Sequence, residues 1–288
     1  GGMGAITRAM AKACAEVGVE IVLDSPVEEI IVEKGKAAGV VAGGTAFRAK
    51  AVAAGVNPKL LFDRLIPDGA VPAEISRRMA GWQSESATFR MNVALAELPR
   101  FTSLPEPGDH MTAGIILAPS LDFMDEAWLS ARNQGWSKAP IVEMLIPSTL
   151  DDSLAPEGRH VASLFCQHFP YDVPGGWDAK REEAADSILA HVDRFAPGFS
   201  ASVIGRVALS PLDLERRFGL IGGDIFHGKM GLDQLFSARP MLSGGTLAAR
   251  YGSTPLRDTE NDANPRSPDP RPCPIGTGSP TTDCEAMK

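Results

Sequence analysis

The stretch from Gly222 to Pro240, GGDIFHGKMGLDQLFSARP, concentrates residue types that could contact a ligand. His227 stands between Phe226 and Gly228, where an imidazole ring could face a flat ligand, and glycine lets the main chain approach a neighbour closely. A histidine beside a phenylalanine is also common as a packing residue. The residues therefore leave two interpretations of His227 open, a ligand contact and a structural role.

Phosphate-binding and nucleophile motifs of the common kinds do not occur in this sequence. It has no GxGxxG opening a strand-helix-strand unit, no GxxxxGK[ST] and no GxSxG. The run GGMG at Gly1 to Gly4 precedes a helical pattern, and free N–H groups at a helix start attract anions, although a solvent loop explains the same glycines. His160 and His168 are too far apart on one predicted strand to bind one metal, and Cys166 fits an apolar core.

Composition narrows the class of protein. The chain has 288 residues, an apolar share of 44% and a net charge of -8 without a dense basic cluster, which argues against a nucleic-acid partner. No apolar run is long enough to span a bilayer, and the first residues do not match a signal peptide, so we expect no transmembrane segment and a cytoplasmic location. Cys14 and Cys166 fall in apolar patterns as buried thiols would.

The first sixty residues predict a helix followed by strands. Apolar residues recur at three and four positions from residue 4 to 17, which indicates an amphipathic helix that Gly18 ends. The apolar run GVEIVLD, residues 18 to 24, predicts a buried strand, and the Lys34-Gly35-Lys36 turn predicts a hairpin. A further strand near residues 47 to 55 leads into a short helix through Leu65.

The remaining chain predicts a second sheet with helices. Alternating apolar residues indicate a strand in SATFRMNVALAEL, and further strands are expected in TAGIILAP, APIVEMLIPS, HVASLFCQHF and SVIGRVALS, in an antiparallel or mixed sheet. Helices are expected at residues 73 to 82, 122 to 132 and 177 to 195. Residues 251 to 288 hold seven prolines and few large apolar residues, which predicts a disordered tail.

Two stretches resemble a known family. GGMGAITRAMAKACAEVGVEIVLDSPVEEIIVEKGKAAGVVAGG is similar to the middle of flavin-dependent oxidoreductases of the phytoene desaturase type. GGDIFHGKMGLDQLFSARP resembles, within them, the pyridine nucleotide-disulfide oxidoreductase domain-containing protein 2 family. The resemblance implies FAD as cofactor and an α/β (α+β) fold, in which a partial FAD/NAD(P)-binding Rossmann-like domain carries an inserted substrate domain with a mixed or antiparallel sheet.

The resemblance also implies domain bounds. It assigns residues 1–64 to a partial FAD-binding domain, 65–220 to the substrate domain and 221–250 to the return into the FAD-binding domain, ahead of the tail at 251–288. The family's amino-terminal GxGxxG is absent from this sequence, and the proline-rich tail stands where the family has a glycine-rich, flavin-binding segment.

Site residues follow from the same resemblance. It places Gly1 and Gly2 in the loop near the flavin and substrate, and Val27 where a main-chain group meets the adenine ring. Ala54 and Gly55 match the strand end beside the cofactor, and His227 falls where the chain returns to the flavin.

The function that the resemblance implies is hydride transfer from a substrate carbon to FAD. The expected substrate is a small, lipophilic molecule, and the expected oligomeric state is a homo-oligomer. A carotenoid or isoprenoid desaturase is the alternative substrate assignment. A non-catalytic fragment or binding module without flavin is the alternative class, because both glycine-rich FAD segments are missing from the sequence. A bound flavin spectrum distinguishes these two classes.

Overall fold

Two antiparallel sheets and the helices around them make up the part of the chain that the computed structural model describes, residues 2–84, 88–235 and 239. The strands are β1 (Val27–Glu33), β2 (Lys36–Ala42), β3 (Thr45–Arg48), β4 (Thr88–Leu95), β5 (Ile115–Leu117), β6 (Ile141–Leu145), β7 (His160–Gln167) and β8 (Val203–Leu209). The α-helices are α1 (Gly4–Glu16), α2 (Pro58–Leu60), α3 (Ala73–Ala80), α4 (Leu121–Gln134), α5 (Trp177–Val192), α6 (Phe199–Ser202) and α7 (Pro211–Phe218).

The first helix forms as predicted, but the strand expected after it does not. Helix α1 ends at Glu16, and Gly18 follows with a positive φ of 81°. Residues 19 to 26 are not a strand, and Val19, Ile21 and Leu23 are exposed. A strand needs a neighbour to satisfy its backbone groups, and none of the described residues pairs with this segment. The prediction of a buried strand at residues 18 to 24 is therefore wrong for this structure.

The predicted hairpin is confirmed and grows into a three-stranded sheet in the order β1-β2-β3. Lys34 and Gly35 turn the chain with φ of 51° and 73°. One face of this sheet packs on α3 and on a π-turn at Leu61–Leu65 that continues α2. The apolar core between them contains Ile30, Leu61, Phe62, Leu65, Ile75, Met79 and Trp82.

The five-stranded sheet has the order β5-β6-β7-β4-β8, and every neighbouring pair is antiparallel. Strand β4 lies between β7 and β8, and its alternation places Phe89, Met91 and Val93 on a buried face while Arg90 and Asn92 take the other face. Helix α5 covers the buried face through Ile188 and neighbouring apolar residues. The second face of the sheet remains accessible, and we call it the open face.

Helix α7, which contains the charged sequence LDLERRF, begins with a capping box formed by Ser210 and Asp213. The Ser210 side chain accepts a hydrogen bond from the Asp213 N–H at 3.3 Å, and the Asp213 carboxylate accepts one from the Ser210 N–H at 2.9 Å. Pro211 supplies the first helical position, where no N–H is needed. The segment that contains His227 follows this helix in the chain.

Most of the remaining predictions about elements are confirmed, including the α/β class with an antiparallel sheet. The strand expected near residues 47 to 55 is an exception, because β3 ends at Arg48 and residues 49 to 57 have irregular backbone. Cys166 is buried, as expected, but Cys14 is only half-buried because no residue of α1 reaches a core. The tail predicted at residues 251–288 lies outside the described residues. In the described part of the chain, no helix combines the length and apolar character that a membrane crossing requires.

Candidate functional site

The segment from Ile221 to Leu235, which we call the His227 loop, packs against three residues that lie just beyond helix α3 and its C-cap Gly81. These three residues are Trp82, Gln83 and Ser84. The loop contains two short 3-10 turns, Ile221–Gly223 and Leu232–Gln234, and otherwise has irregular backbone. Such a loop depends on specific contacts for its shape, because it has no regular hydrogen-bond ladder of its own.

Glycine is required where the His227 loop touches its neighbours. Gly222 has a φ of 66°, and a Cβ atom there would overlap the main-chain carbonyl of Ser84. A Cβ atom at Gly228 would overlap the ring of Trp82. The glycines thus allow main chain to pack directly on residues 82 to 84.

Gln234 joins the loop to the Gln83 backbone through a buried side chain that is 2% exposed. Its Oε1 accepts a hydrogen bond from the Gln83 N–H at 2.8 Å, and its Nε2 donates to the Gln83 carbonyl at 3.0 Å. The same amide group donates to the Lys229 carbonyl at 3.3 Å, while the Lys229 N–H donates to the Gln83 carbonyl at 2.8 Å. Both polar atoms of the buried amide are therefore satisfied.

Two arginines, Arg239 and Arg78, donate hydrogen bonds to main-chain carbonyls of the loop. The Arg239 guanidinium lies over the Trp82 ring, 5.5 Å from its centroid, and donates to the Gly228 carbonyl at 3.3 Å and to the Phe226 carbonyl. Arg78 in α3 donates to the Asp233 carbonyl at 2.6 Å. Main-chain carbonyls of an irregular loop thus gain charge-assisted hydrogen bonds.

His227 itself adopts a left-handed conformation with a φ of 57°, which is uncommon for residues other than glycine. Its N–H donates to the Asp224 carbonyl at 3.3 Å, and its own carbonyl accepts a hydrogen bond from Trp82 Nε1 at 3.3 Å. Its Nδ1 is buried and has no hydrogen-bond partner among the described residues. The neighbouring Phe226 is 51% exposed. Because this ring nitrogen is closed to solvent, a polar, flat ligand reaches it only if the groups around it move.

Ala54 and Gly55, predicted as a strand end, lie in irregular backbone six and seven residues after β3, and Asn57 links this segment to the His227 loop. Asn57 is buried; its Nδ2 donates to Ser84 Oγ at 3.3 Å, and its Oδ1 caps the following helix through the Lys59 N–H at 2.8 Å. Ser84 is the residue whose carbonyl touches Gly222. Residues 54 to 57 and the His227 loop therefore meet at Ser84.

Ala54 and Gly55 differ in their surroundings. Ala54 is half-buried against the apolar core of the three-stranded sheet, whereas Gly55 is exposed and has no heavy atom within 4 Å of a Cβ position. The sequence analysis missed Asn57 as a member of this site. The signal was available, because Asn before Pro is a common start of a helix.

Two other predicted site residues, Gly2 and Val27, make contacts away from the His227 loop. The Gly2 N–H donates to Asp151 Oδ2 at 3.1 Å. The Ser153 hydroxyl, followed by the Gly2 N–H, lowers the pKa of Asp151. Val27 begins β1 and pairs with Ala42. These contacts do not involve the His227 loop, and Gly1 lies outside the described residues.

The open face of the five-stranded sheet carries a cation held against an aromatic ring. The Arg90 guanidinium lies 5.2 Å from the centroid of Phe165 and donates to Ser163 Oγ at 3.2 Å. Cys166 points to the buried face, where burial raises the pKa of its thiol. A buried thiol of this kind is a weak nucleophile, which agrees with its assignment to the core. Among the described residues, no group of three His, Cys, Asp or Glu side chains could hold a metal ion.

Comparisons with known proteins agree with the resemblance. No protein-family model matches the chain. The chain is 39% identical over 252 residues to pyridine nucleotide-disulfide oxidoreductase domain-containing protein 2 of Rattus norvegicus, an alignment that covers 84% of this chain and 43% of that protein. The corresponding protein of Mus musculus is 37% identical over the same shares. The chain thus spans less than half the length of these curated relatives.

More distant similarities point in the same direction. Prolycopene isomerase of Arabidopsis thaliana is 28% identical over 76% of this chain and 35% of that protein. Among solved structures, an oxidoreductase from Methanosarcina mazei has a TM-score of 0.49 at 17% identity, covering 70% of this chain and 41% of that one. The 39% identity over 252 residues to the rat protein makes the chain a homologue of the pyridine nucleotide-disulfide oxidoreductase domain-containing protein 2 family.

Proposed function

We propose that this chain is part of an FAD-dependent oxidoreductase that transfers a hydride from a substrate carbon to the flavin. The observation that carries the proposal is the buried Nδ1 of His227, which has no hydrogen-bond partner among the described residues, in the loop whose Gly222 packs on Ser84, the hydrogen-bond partner of Asn57. Homology to a family named as an oxidoreductase supports the reaction class. Hydride transfer to FAD is the finer part of the proposal.

The residues at this junction fit a flavin. Gly55 has open space at its Cβ position, and Phe226 offers an exposed aromatic surface. The Nδ1 atom of His227 has unused hydrogen-bonding capacity, and a flavin ring system carries both donors and acceptors. Ser84 and Trp82, in contrast, occupy the space beside Gly222 and Gly228. These two glycines therefore allow the loop to pack and do not make room for the cofactor.

The role of the protein groups is to bind and orient. When bound, FAD supplies a two-electron acceptor, and the protein provides the position and the dry surroundings. His227 would hold a polar edge of the ring system through Nδ1, while the main-chain contacts of Trp82 and Gln83 fix its position. Gly55 and Ala54 would line the same cofactor. Gly1, Gly2 and Val27 remain proposed contacts to other parts of FAD.

The substrate side is assigned to the open face of the five-stranded sheet. This assignment follows the proposed division into residues 1–64, 65–220 and 221–250, in which the middle part is the substrate domain. The Phe165 ring and its Arg90 cation offer an accessible surface of mixed character. An isoprenoid is the proposed substrate class, because plant relatives are named prolycopene isomerases. The proposed homo-oligomer and the cytoplasmic location remain predictions.

The proposed reaction is tested by anaerobic mixing of the FAD-loaded protein with a solubilised isoprenoid polyene. Reduction of the flavin removes its absorbance near 450 nm, roughly in proportion to hydride transferred. We expect Phe165→Ser to slow this bleaching by about tenfold, which corresponds to one lost ring contact. Met124→Ser, at an exposed apolar residue of α4, should leave the rate unchanged. Bleaching that never occurs with any polyene contradicts the isoprenoid assignment.

A further inference from the structure

One row of side chains on the open face of the five-stranded sheet carries both of that face's charges. Glu143 of β6 lies opposite Phe165 of β7, and Ile116 of β5 lies opposite Glu143. Arg90 of β4 lies between Phe165 and Leu209 of β8. Within the five strands, all of which the structure describes, Arg90 is the only cation and Glu143 the only anion whose position falls on this face. A single guanidinium therefore stands on a surface that is mostly uncharged.

The Arg90 guanidinium is held in place without being neutralised. It lies over the Phe165 ring, 5.2 Å from the centroid, and Nη2 donates to Ser163 Oγ at 3.2 Å. Neither partner is negatively charged, and Arg90 makes no ion pair with a carboxylate in the part of the chain that the structure describes. A guanidinium has five N–H donors, and two of them can bind both oxygens of one carboxylate. Phe165 and Ser163 thus orient a cation that retains hydrogen-bonding capacity for a ligand.

The side of Arg90 that faces β8 is apolar. Leu209 is the cross-strand neighbour of Arg90, and Val207 and Gly205 follow at alternate positions of the same strand. Val207 is 53% exposed, so this surface is accessible. From Leu209 to Gly205 it extends over about 13 Å, because a strand rises by about 3.3 Å per residue. A hydrocarbon chain that covers this surface removes apolar area from water on both molecules.

The two charges of the open face favour a ligand with one negative charge. Glu143 is exposed, and Gln167 Nε2 donates to it at 3.4 Å. It lies two strands away from Arg90, roughly 10 Å apart along the backbone, so its repulsion of a carboxylate at Arg90 weakens binding by only about twofold in water. A diphosphate carries more charge than one guanidinium can neutralise, and Glu143 repels it more strongly. A carboxylate therefore fits this face better.

We propose that the open face binds an isoprenoid carboxylate, whose carboxylate group pairs with Arg90 while its chain contacts Phe165 and the apolar positions of β8. Arg90 is then the residue that selects substrates with one ionised end. This inference rests on the proposed function, which assigns the substrate to the open face, and it narrows the proposed isoprenoid class to its carboxylic acids.

The test compares farnesoic acid with farnesol, two isoprenoids that share one chain and differ in their polar end. Binding of each radiolabelled ligand to the full chain is measured by equilibrium dialysis near neutral pH, where the acid is ionised. We expect the parent to bind farnesoate about tenfold more tightly than farnesol. Arg90→Met should remove this preference and leave the affinity for farnesol unchanged, which also shows that the variant is folded. Arg90→Lys keeps the charge but not the planar fork and should retain part of the preference.

Two further variants separate Arg90 from other charges. Arg132→Met removes an arginine that also lies over an aromatic ring, 5.8 Å from the Trp128 centroid, but that belongs to helix α4, and it should change neither affinity. Glu143→Gln should tighten farnesoate by about twofold. The proposal is overturned if the parent binds farnesol as tightly as farnesoate, if it binds farnesyl diphosphate more tightly than farnesoate, or if Arg90→Met keeps the full preference.

Dialysis requires no electron transfer, so this test and the test of the proposed function fail separately. Farnesoate that binds through Arg90 without bleaching the flavin contradicts hydride transfer and supports the carboxylate site. Flavin bleached by a neutral polyene in a protein without preference for farnesoate supports hydride transfer and overturns the carboxylate site.

Discussion

Trp82 donates its indole N–H to the main-chain carbonyl of His227 across 3.3 Å, and the two residues are separated by 145 positions in the sequence. The same indole ring is covered by Arg239 and lies against Gly228. One aromatic side chain thus fixes the backbone on both sides of the proposed flavin-contacting histidine. The position of His227 depends on these contacts more than on its own side chain.

Replacing Gly228 with alanine tests the close contact with Trp82. The added methyl group would overlap the indole ring, and the buried Trp82 has little freedom to move. We expect a loss of about 1 to 3 kcal/mol in the free energy of unfolding, measured by urea denaturation. Gly205→Ala is the control, because its Cβ position has its nearest neighbour at 4.0 Å and should change stability little. Equal stability of the two variants would show that the loop does not pack on Trp82.

Replacing Gln234 tests the buried amide that joins the His227 loop to Gln83. Gln234→Leu leaves the Gln83 N–H without its partner and removes one of the two hydrogen bonds to the Gln83 carbonyl, and we expect a loss of about 1 to 3 kcal/mol in the free energy of unfolding. Gln234→Glu places a carboxylate against the carbonyls of Gln83 and Lys229 and should cost at least as much. Gln134→Leu, at an exposed position of α4, should change stability by less than about 0.5 kcal/mol. A Gln234→Leu protein as stable as the parent would contradict the contact.

A pH dependence of stability follows from His191, which is 3% exposed and stacks on Phe123. Burial, followed by the charge of Arg194, lowers the pKa of His191 to about 4. As the pH falls below about 6.5, the unfolded chain takes up a proton at this histidine before the folded chain does, so stability falls. From pH 7.5 to pH 5.0 the parent should lose about 1 to 2 kcal/mol more than His191→Phe.

The measurement for this prediction is urea unfolding at both pH values. His168→Phe is the comparison variant, because burial also lowers the pKa of His168 and its removal should reduce the pH dependence in the same direction. A parent protein and a His191→Phe variant with the same pH dependence would rule out His191 as a source.

Local patterns were sufficient for most of the elements. The apolar spacing of residues 4 to 17 identifies α1, and the Lys34-Gly35 turn identifies the first hairpin, because both depend on neighbours in sequence. The strand expected at residues 18 to 24 fails for the opposite reason. An apolar run becomes a strand only beside a pairing partner, and that partner is not a property of the run itself. Helix α7 could have been found from its Ser210 and Asp213 capping pair.

The candidate site was predictable only in part. The segment around His227 can be recognised in the sequence, because its glycines and aromatic residues follow no helical or strand period. The segment from Trp82 to Ser84, which packs on it, cannot be recognised in the sequence. The residues around Trp82 give no sign that its indole N–H donates to a carbonyl 145 positions away. Gln234 was missed for the same reason, whereas Asn57 could have been recognised as a helix cap from the proline that follows it. A buried amide is recognisable as structural only when both of its partners are known.

The central claim, that His227, Ala54 and Gly55 contact FAD, is tested most directly by titrating the purified chain with FAD and recording its visible absorption spectrum. His227→Asn is the informative variant, because asparagine tolerates a positive φ and removes the imidazole. We expect a near-stoichiometric flavin band that shifts on binding in the parent, and an affinity about tenfold weaker in His227→Asn. A parent chain that leaves the spectrum of free FAD unchanged would contradict the account and favour a binding module without flavin.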